Sequence, residues 1–148
     1  MTAIYIIAHA PLASALLELA GHVHGAIPDG LGALDVAPDA DPDRALEQAR
    51  VELQQLSGGG DALLLTDMAG ATPANLAQRL LDQPQPGQQL RLLAGLNLPM
   101  LLRSLSYRER ALAQLVELAL AGGQRGLTEL APASASTPPE PPCRNANC

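Results

Sequence analysis

The chain alternates short apolar runs with stretches of helical periodicity, at a repeat of about 30 residues. The runs that predict buried strands lie at residues 3–8, 34–36, 62–66 and 90–94. A strand, a helix and a second strand in succession form a right-handed unit, and the two strands of such a unit are parallel. The sequence therefore predicts an α/β fold: a doubly wound, mainly parallel sheet of order 2-1-3-4 with helices on both faces. Residues 127–130 are ambiguous and are compatible with an added edge strand.

Signals between these runs predict where the helices begin and end. The first helix should carry an apolar stripe, of the kind that faces a core, formed by Leu12, Leu16, Leu19 and Val23. Asp41-Pro42 has the N-cap and first-turn proline of a helix start, and Gly58-Gly59-Gly60 predicts a helix end rather than a phosphate loop. Ser106-Tyr107-Arg108-Glu109 has the form of a capping box, which predicts the start of the last helix, and Gly122-Gly123 predicts its end.

At 148 residues the chain is expected to hold one globular domain, at residues 1–131. From residue 132 the composition becomes mostly Ala, Ser, Thr and Pro without apolar periodicity, so 132–148 is predicted to be disordered. Cys143 and Cys148 both lie in this tail, which argues against a disulfide framework or a zinc site and favours a cytoplasmic domain. The N-terminus lacks the basic segment of a signal peptide, and no run reaches the ~18 apolar residues of a membrane span.

Charge and aromatic content exclude several classes of function. The formal net charge is −6, and Tyr5 and Tyr107 are the only aromatic residues. Nucleic-acid binding is therefore not expected, because it needs a positive surface and aromatic stacking platforms. The basic residues are all arginine, and the absence of lysine excludes a P-loop, a protein-kinase site and a Schiff-base enzyme. His22 and His24 are interpreted as partly exposed helix-end residues that do not face each other, so they make a poor metal pair. Neither a metal site nor a cofactor is predicted.

Two polar side chains follow two strands that the predicted order makes neighbours. His9 comes directly after the first strand, and Asp67 comes directly after the third. In a doubly wound sheet, ligands bind beyond the carboxyl ends of the strands, at the point where the strand order reverses. That point lies between the first and third strands, so we expect the imidazole and the carboxylate to meet there.

A histidine paired with a carboxylate is suited to phosphoryl transfer. Neutral imidazole is a good nucleophile, and an aspartate on one ring nitrogen fixes the tautomer and stabilises the charge that develops. An arriving phosphoryl group carries about two negative charges. The sequence offers no lysine or nearby arginine, so we expect the group to be bound where a helix opens at Gly70, Ala71 and Thr72, by free amides and the Thr72 hydroxyl. Asn97, beyond the fourth strand, is expected to support the loop.

Each of these features also has a purely structural interpretation. A lone histidine after a strand is more often a structural or surface residue than a nucleophile. The stretch from Asp67 to Pro73 could form only a turn and a helix cap. Asn97, before Leu98-Pro99, is more often a cap than a ligand. The functional interpretation therefore depends on three loops converging at one edge of the sheet.

Three segments resemble the IIA domain of the mannose family of the bacterial phosphoenolpyruvate-dependent sugar phosphotransferase system. They are Ile6-Ile7-Ala8-His9-Ala10, Leu65-Thr66-Asp67-Met68-Ala69-Gly70-Ala71-Thr72-Pro73-Ala74-Asn75 and Ala94-Gly95-Leu96-Asn97-Leu98-Pro99-Met100-Leu101. The resemblance spans roughly residues 1–130. It implies a doubly wound, cytoplasmic phosphocarrier in which His9 is phosphorylated, Asp67 is its carboxylate partner and Thr72 is the small hydroxyl residue at the helix start.

The same resemblance implies partners. The histidine-containing phosphocarrier protein would donate the phosphoryl group to His9, and a IIB component would accept it. The family usually forms a homodimer that exchanges a strand between subunits. This chain departs from the family pattern in having Ala10-Pro11 where glycine often follows the histidine. The Pro-rich stretch that leads to a IIB domain in some members ends here, so a free-standing IIA protein is expected.

Other functions compete with the phosphocarrier. The main alternative is a regulatory module whose phosphorylation state controls partner binding rather than sugar transport. A receiver-like switch would need an acidic cluster after the first strand and a lysine, and neither is present. A His–Asp hydrolase would need a nucleophile beside His9, and Thr66 and Thr72 are only weakly activated.

Overall fold

The structure, a computed structural model, describes residues 1–133. The strands in that range are β1 (Ala3–His9), β2 (Leu31–Val36), β3 (Ala62–Thr66) and β4 (Leu90–Ala94). The helices are α1 (Leu12–His24), α2 (Pro42–Ser57), α3 (Thr72–Leu81), α4 (Leu98–Ser106) and α5 (Leu112–Arg125). The predicted disordered tail at 132–148 falls, from residue 134 onward, outside the described residues, so it stays a prediction.

All strand pairs are parallel and the sheet order is β2-β1-β3-β4, which confirms the predicted α/β topology. β1 and β3 lie in the centre of the sheet, with Ile6 paired to Leu65 across them. Residues 3–8 and 62–66 are buried throughout, because helices cover both faces of the sheet. This double burial explains why both strands appear in the sequence as continuous apolar runs rather than alternating ones.

Residues 127–130 do not form the additional edge strand. In the described part of the chain the sheet has four strands, and this segment follows α5 without regular structure. Leu127 and Leu130 are 76% and 85% exposed. The Leu127 amide donates to the carbonyl oxygen of Gln124 at 3.2 Å, so the chain here closes the end of α5 instead of forming a ladder with a strand.

Two hydrophobic clusters lie on the two faces of the sheet. One packs residues of β1, including Ile6 and Ala8, against α1, α4 and α5. The other packs Tyr5 and Ile7 of the same strand against α2 and α3. Successive residues of β1 alternate between the two clusters. His9, two positions after Ile7, therefore falls in register with the face that α3 covers.

The predicted apolar stripe of α1 holds for Leu16, which packs partly buried against the cluster on the sheet, but is wrong for its other three residues. Leu12, Leu19 and Val23 are 38%, 37% and 56% exposed. Ala13 and Ala20 are instead fully buried in the cluster on the sheet. Alanine lets the helix approach the sheet closely, whereas hydrophobic periodicity gives most weight to larger side chains.

The predicted start and end of α2 are confirmed. The carboxylate of Asp41 accepts hydrogen bonds from the amides of Asp43 and Arg44 at 3.1 and 2.8 Å. Gly58 ends the helix with a φ of +58°, in the left-handed region that favours glycine. The glycine triplet is therefore a helix stop, as expected.

The predicted capping box and glycine stop of the last helix are both wrong. Ser106 is the last residue of α4, and its Oγ donates to the carbonyl oxygen of Leu102 at 2.9 Å. α5 begins only after Ala111, whose side chain makes no capping bond. Gly122 and Gly123 lie inside α5 and do not end it.

The glycines of α5 allow close packing with α4. A Cβ atom on Gly122 would lie 2.7 Å from Cβ of Arg103, and one on Gly123 would lie 2.9 Å from Cε of Met100. Non-bonded carbon atoms in a packed interior are farther apart than this, at about 3.5–4.0 Å. Close approach of the two helices, rather than turn formation, explains the glycines here.

Gly122→Ala is expected to destabilise the protein by about 1–3 kcal/mol, although alanine is the better helix former by about 1 kcal/mol. The added methyl group would collide with Cβ of Arg103, which the α4 backbone holds in place. Urea unfolding measured by circular dichroism gives the difference in free energy of unfolding.

Gly21→Ala in α1 is the matched control for this change. A Cβ atom there would meet nothing closer than Cγ1 of Ile27 at 3.1 Å, and that side chain is exposed and can move. The control should be as stable as the wild type or more stable. A Gly122→Ala protein of increased stability would contradict the packing explanation.

Candidate functional site

His9 and Asp67 are in direct contact at the carboxyl edge of the sheet. Nδ1 of His9 lies 2.7 Å from Oδ2 of Asp67, and the same oxygen accepts the backbone amide of His9 at 3.1 Å. The side chain of His9 is 48% exposed, whereas that of Asp67 is 14% exposed. A sheltered carboxylate therefore holds a ring that is open to solvent.

The order of the strands brings these two residues together. β1 and β3 are parallel neighbours, so their carboxyl ends meet at one edge of the sheet. His9 is the last residue of β1, and Asp67 directly follows β3. The connection between the strands passes through α1, β2 and α2, so His9 and Asp67 meet although they are 58 positions apart in the chain.

Asp67 is held in its ionised form. Partial burial raises the pKa of Asp67, but hydrogen bonds from the ring and amide of His9 and from the Met68 amide outweigh that effect. The net result is a pKa for Asp67 below its ordinary value of 3.8. The Met68 amide lies 2.9 Å from Oδ1, so both carboxylate oxygens accept hydrogen bonds and the group is fixed in orientation.

This pairing determines which ring nitrogen of His9 is free. An ionised carboxylate only accepts hydrogen bonds, so Nδ1 of His9 carries the proton that joins them. In the neutral ring the other nitrogen, Nε2, then has a free lone pair. The carboxylate also stabilises the positive ring that forms when Nε2 gains a substituent. This geometry is suited to nucleophilic attack by Nε2 from a fixed tautomer.

The segment after Asp67 opens α3 with an uncapped N-terminus. Gly70 has a φ of +81°, which favours glycine, and turns the chain towards the helix. Ala71 occupies the N-cap position, where no side chain satisfies the first amides of the helix. Thr72 is exposed at the first helical position. Among residues 1–133, no hydrogen bond joins these three residues to His9.

Asn97 caps α4 and lies in a loop that is tied to the end of β3. Its Oδ1 accepts the Met100 amide at 3.0 Å, and its Nδ2 donates to the carbonyl oxygen of Gly123 in α5 at 3.3 Å. In the same loop, the Gly95 amide donates to the carbonyl oxygen of Asp67 at 3.1 Å. Asn97 is therefore connected to the site through the backbone of this loop.

Two further residues at this edge were not predicted from the sequence. Ser14, in the first turn of α1, donates its amide to Oδ1 of Asp35 at 3.1 Å and its hydroxyl to Oδ2 at 2.5 Å. Asp35 lies in β2, where its Cα is paired with that of Ala8. A carboxylate within the apolar run Leu34-Asp35-Val36 was a signal, because such a group needs a partner. The identity of the partner, 21 positions away, was not visible in the sequence.

Residues 1–133 hold neither a metal cluster nor a membrane-spanning helix. In that range, no group of three or more histidine, cysteine, aspartate or glutamate side chains is placed to hold a metal ion. His22 and His24 are exposed at the end of α1, as interpreted from the sequence. None of the helices described has the length and apolar content needed to cross a bilayer.

The chain matches the sequence model of a known family and is similar to individual proteins. The family model EIIA-man, described as "PTS system fructose IIA component", matches residues 3–119. The chain is 29% identical over 148 residues to the "PTS system mannose-specific EIIAB component" of Escherichia coli (strain K12). That alignment covers 93% of this chain and 45% of the relative, so the chain spans about half the length of that protein.

Solved structures share the fold. Phosphotransferase system component EIIA from Streptococcus agalactiae matches with a TM-score of 0.75 at 23% identity, over 87% of this chain and 97% of that one. The mannose/sorbose specific IIA subunit from Enterococcus faecalis matches with a TM-score of 0.77 at 21% identity, over 88% and 95% of the two chains. At these identities the likeness concerns the α/β arrangement alone.

Proposed function

Because this chain belongs to the EIIA-man family of phosphotransferase-system IIA components, we propose that it carries a phosphoryl group on His9. The donor in this proposal is the histidine-containing phosphocarrier protein, the acceptor is a IIB component, and the exchange takes place in the cytoplasm. The observation that carries the proposal is the 2.7 Å contact between Nδ1 of His9 and Oδ2 of Asp67. It supplies a nucleophile with a fixed tautomer at the edge of the sheet where ligands bind.

In the first proposed step, Nε2 of His9 bonds to phosphorus. Its lone pair attacks the phosphoryl group on the donor's histidine, while the N–P bond of the donor breaks and its electron pair returns to the donor ring. Nδ1 keeps its proton, so the phosphorylated ring of His9 is positively charged. The ionised Asp67 stabilises that charge, and no proton has to leave His9.

The second step reverses the first with a different partner. A nucleophile of the IIB component attacks phosphorus, the bond to Nε2 breaks, and its electron pair returns to the ring of His9. The positive ring is a good leaving group because it becomes neutral as the bond breaks. Asp67 keeps the ring in place throughout, since its bond is to Nδ1 and not to the reacting nitrogen.

The proposal assigns the oxygens of the phosphoryl group to the N-terminus of α3. His9 falls in register with the sheet face that α3 covers, and the first amides of α3 have no side-chain cap. Gly70, Ala71 and Thr72 would supply backbone amides, the Thr72 hydroxyl and the positive end of the helix dipole. Asn97 would keep the neighbouring loop in place.

Incubation with radiolabelled phosphoenolpyruvate and the two general phosphotransferase proteins tests this function. We expect one phosphoryl group on the chain, labile in acid and stable in base, as for phosphohistidine. A chain that stays unlabelled while another IIA protein is labelled under the same conditions would overturn the proposal. If the labelled chain passes phosphate to none of the IIB proteins encoded beside it, the regulatory alternative is favoured over sugar transport.

The proposal includes a homodimer in which residues 127–130 pair with a second copy. β4 is at the edge of the sheet, and within residues 1–133 no strand pairs with its outer side. Leu127 and Leu130 follow α5 closely in sequence and are 76% and 85% exposed. An unpaired sheet edge and an exposed apolar segment are complementary in an exchange of this kind.

Sedimentation equilibrium is expected to give twice the chain mass of 15.3 kDa for the wild type. The double variant Leu127→Asp with Leu130→Asp should sediment as a monomer, because two charges oppose burial of the segment. Val51→Asp, at a 47% exposed position of α2, is the matched control and should remain dimeric. A wild-type protein that is monomeric at every concentration would contradict this part of the proposal.

A further inference from the structure

The segment that carries His9 is attached to the sheet by two aspartates, one within β2 and one directly after β3. At its start, the amide of His9 donates to Asp67, which follows β3, at 3.1 Å. At its end, Ser14 donates its amide and its hydroxyl to Asp35 of β2, at 3.1 and 2.5 Å. Only a short stretch of chain lies between these attachments, and the Ala10 amide within it extends the ladder to β2.

The helices that follow β1 and β3, α1 and α3, differ in how their first turns are closed. The carboxylate of Asp35 accepts the Ser14 amide and so places a negative charge at the N-terminus of α1. No side chain closes α3, whose N-cap residue is Ala71. A helix N-terminus attracts an anion through its free amides and its positive dipole end. The α3 side therefore offers free amides to a phosphoryl group, whereas the α1 side presents a carboxylate.

We propose that Asp35 and Ser14 are positioning residues for phosphoryl transfer at His9, an inference that rests on the function proposed above. By fixing the start of α1, they hold the short segment that carries the ring, so that Nδ1 stays against Asp67. The charge of Asp35 also disfavours a phosphoryl group beside α1 and leaves the α3 side as its place. Neither residue touches the reacting atoms, and both act through the position of His9.

Single-turnover transfer from the phosphorylated phosphocarrier protein tests this role. At saturating donor, Asp35→Ala should lower the rate constant about 30-fold and Ser14→Ala about 10-fold, because a small misplacement of a reacting group costs up to ~10²-fold. The donor concentration that gives half the maximal rate should change less than about twofold, since the loss lies in geometry after binding. Asp35→Asn keeps an acceptor for the Ser14 amide but lacks the charge, so it should recover part of the lost rate.

Asp41→Ala is the matched control. Asp41 caps α2 by the same kind of bond, at 3.1 and 2.8 Å, but α2 does not carry the histidine segment. This variant should lose a similar amount of thermal stability and still transfer phosphate at the wild-type rate. Nitrogen NMR of the imidazole adds a measurement that needs no donor: the wild type and Asp41→Ala should show a ring protonated at Nδ1, and Asp35→Ala a mixture of tautomers.

The outcomes separate the two proposals. A wild-type chain that is not phosphorylated ends the proposed function, while the tautomer measurement still tests Asp35. If the wild type is phosphorylated, and Asp35→Ala and Ser14→Ala match Asp41→Ala in rate and tautomer, the positioning role is overturned. A lower melting temperature with no other change also overturns that role, because it shows that the pair is structural. If Asp35→Ala does not fold, Ser14→Ala decides, since it keeps the aspartate.

Discussion

His9→Ala is expected to reduce phosphorylation from phosphoenolpyruvate to background, because Nε2 of His9 is the atom to which phosphorus is proposed to bond. The fold should persist. The His9 side chain is 48% exposed, and Asp67 would still accept the backbone amides at positions 9 and 68. Radiolabel retained on a gel run under alkaline conditions measures the effect, and circular dichroism checks the fold.

The control for His9→Ala removes the other two histidines of the chain. His22 and His24 are exposed at the end of α1. The double variant His22→Ala with His24→Ala should be labelled as fully as the wild type. Label that survives in His9→Ala, or that disappears in the double variant, would show that a residue other than His9 is phosphorylated.

Asp67→Asn is expected to leave the fold intact and to slow phosphoryl transfer by about 10²–10⁴-fold. Asparagine keeps an oxygen for the backbone amides but has no charge to stabilise the phosphorylated ring. If its amide nitrogen faces the ring, Nδ1 must accept, so the proton moves to Nε2 and blocks the lone pair that attacks phosphorus. Rapid-quench measurement of single-turnover transfer gives the rate constant.

Asp61→Asn supplies the matched control for this effect. Asp61 precedes β3 at the opposite end of the strand, where its Oδ1 accepts the Gln89 amide at 2.9 Å. The Asp61→Asn variant has the same change of charge as Asp67→Asn and should transfer phosphate at the wild-type rate. Transfer by Asp67→Asn at the wild-type rate would show that the carboxylate does not orient the ring.

The central strands made most of the fold predictable. β1 and β3 are buried on both faces, so their sequences are continuous apolar runs that mark strand positions without any knowledge of neighbours. The regular alternation with helices then fixed parallel pairing and strand order. His9 and Asp67 follow these two strands directly, which is why their contact could be expected before any coordinates were known.

The features that could not be predicted depend on packing between elements. Ala13 and Ala20 are the fully buried residues of α1, whereas Leu16 and Leu17 pack only partly buried against the same cluster, because the distance between helix and sheet decides which side chains fit. The bond between Ser14 and Asp35 joins a helix turn to a strand, and neither residue belongs to a motif. Both features follow from the spatial placement of α1, which periodicity does not specify.

The glycine positions of α5 have a consequence for mutational tolerance. The carbonyl oxygen of Gly123 accepts Nδ2 of Asn97, and the loop of Asn97 also contains Gly95, whose amide binds the backbone of Asp67. A methyl group at position 123 would press on Nδ2 of Asn97 from 3.3 Å. In laboratory evolution, variants with substitutions in the last helix should therefore be screened for the rate of phosphoryl transfer as well as for expression. Such substitutions can shift Asp67 through the backbone of the loop that contains Gly95 and Asn97.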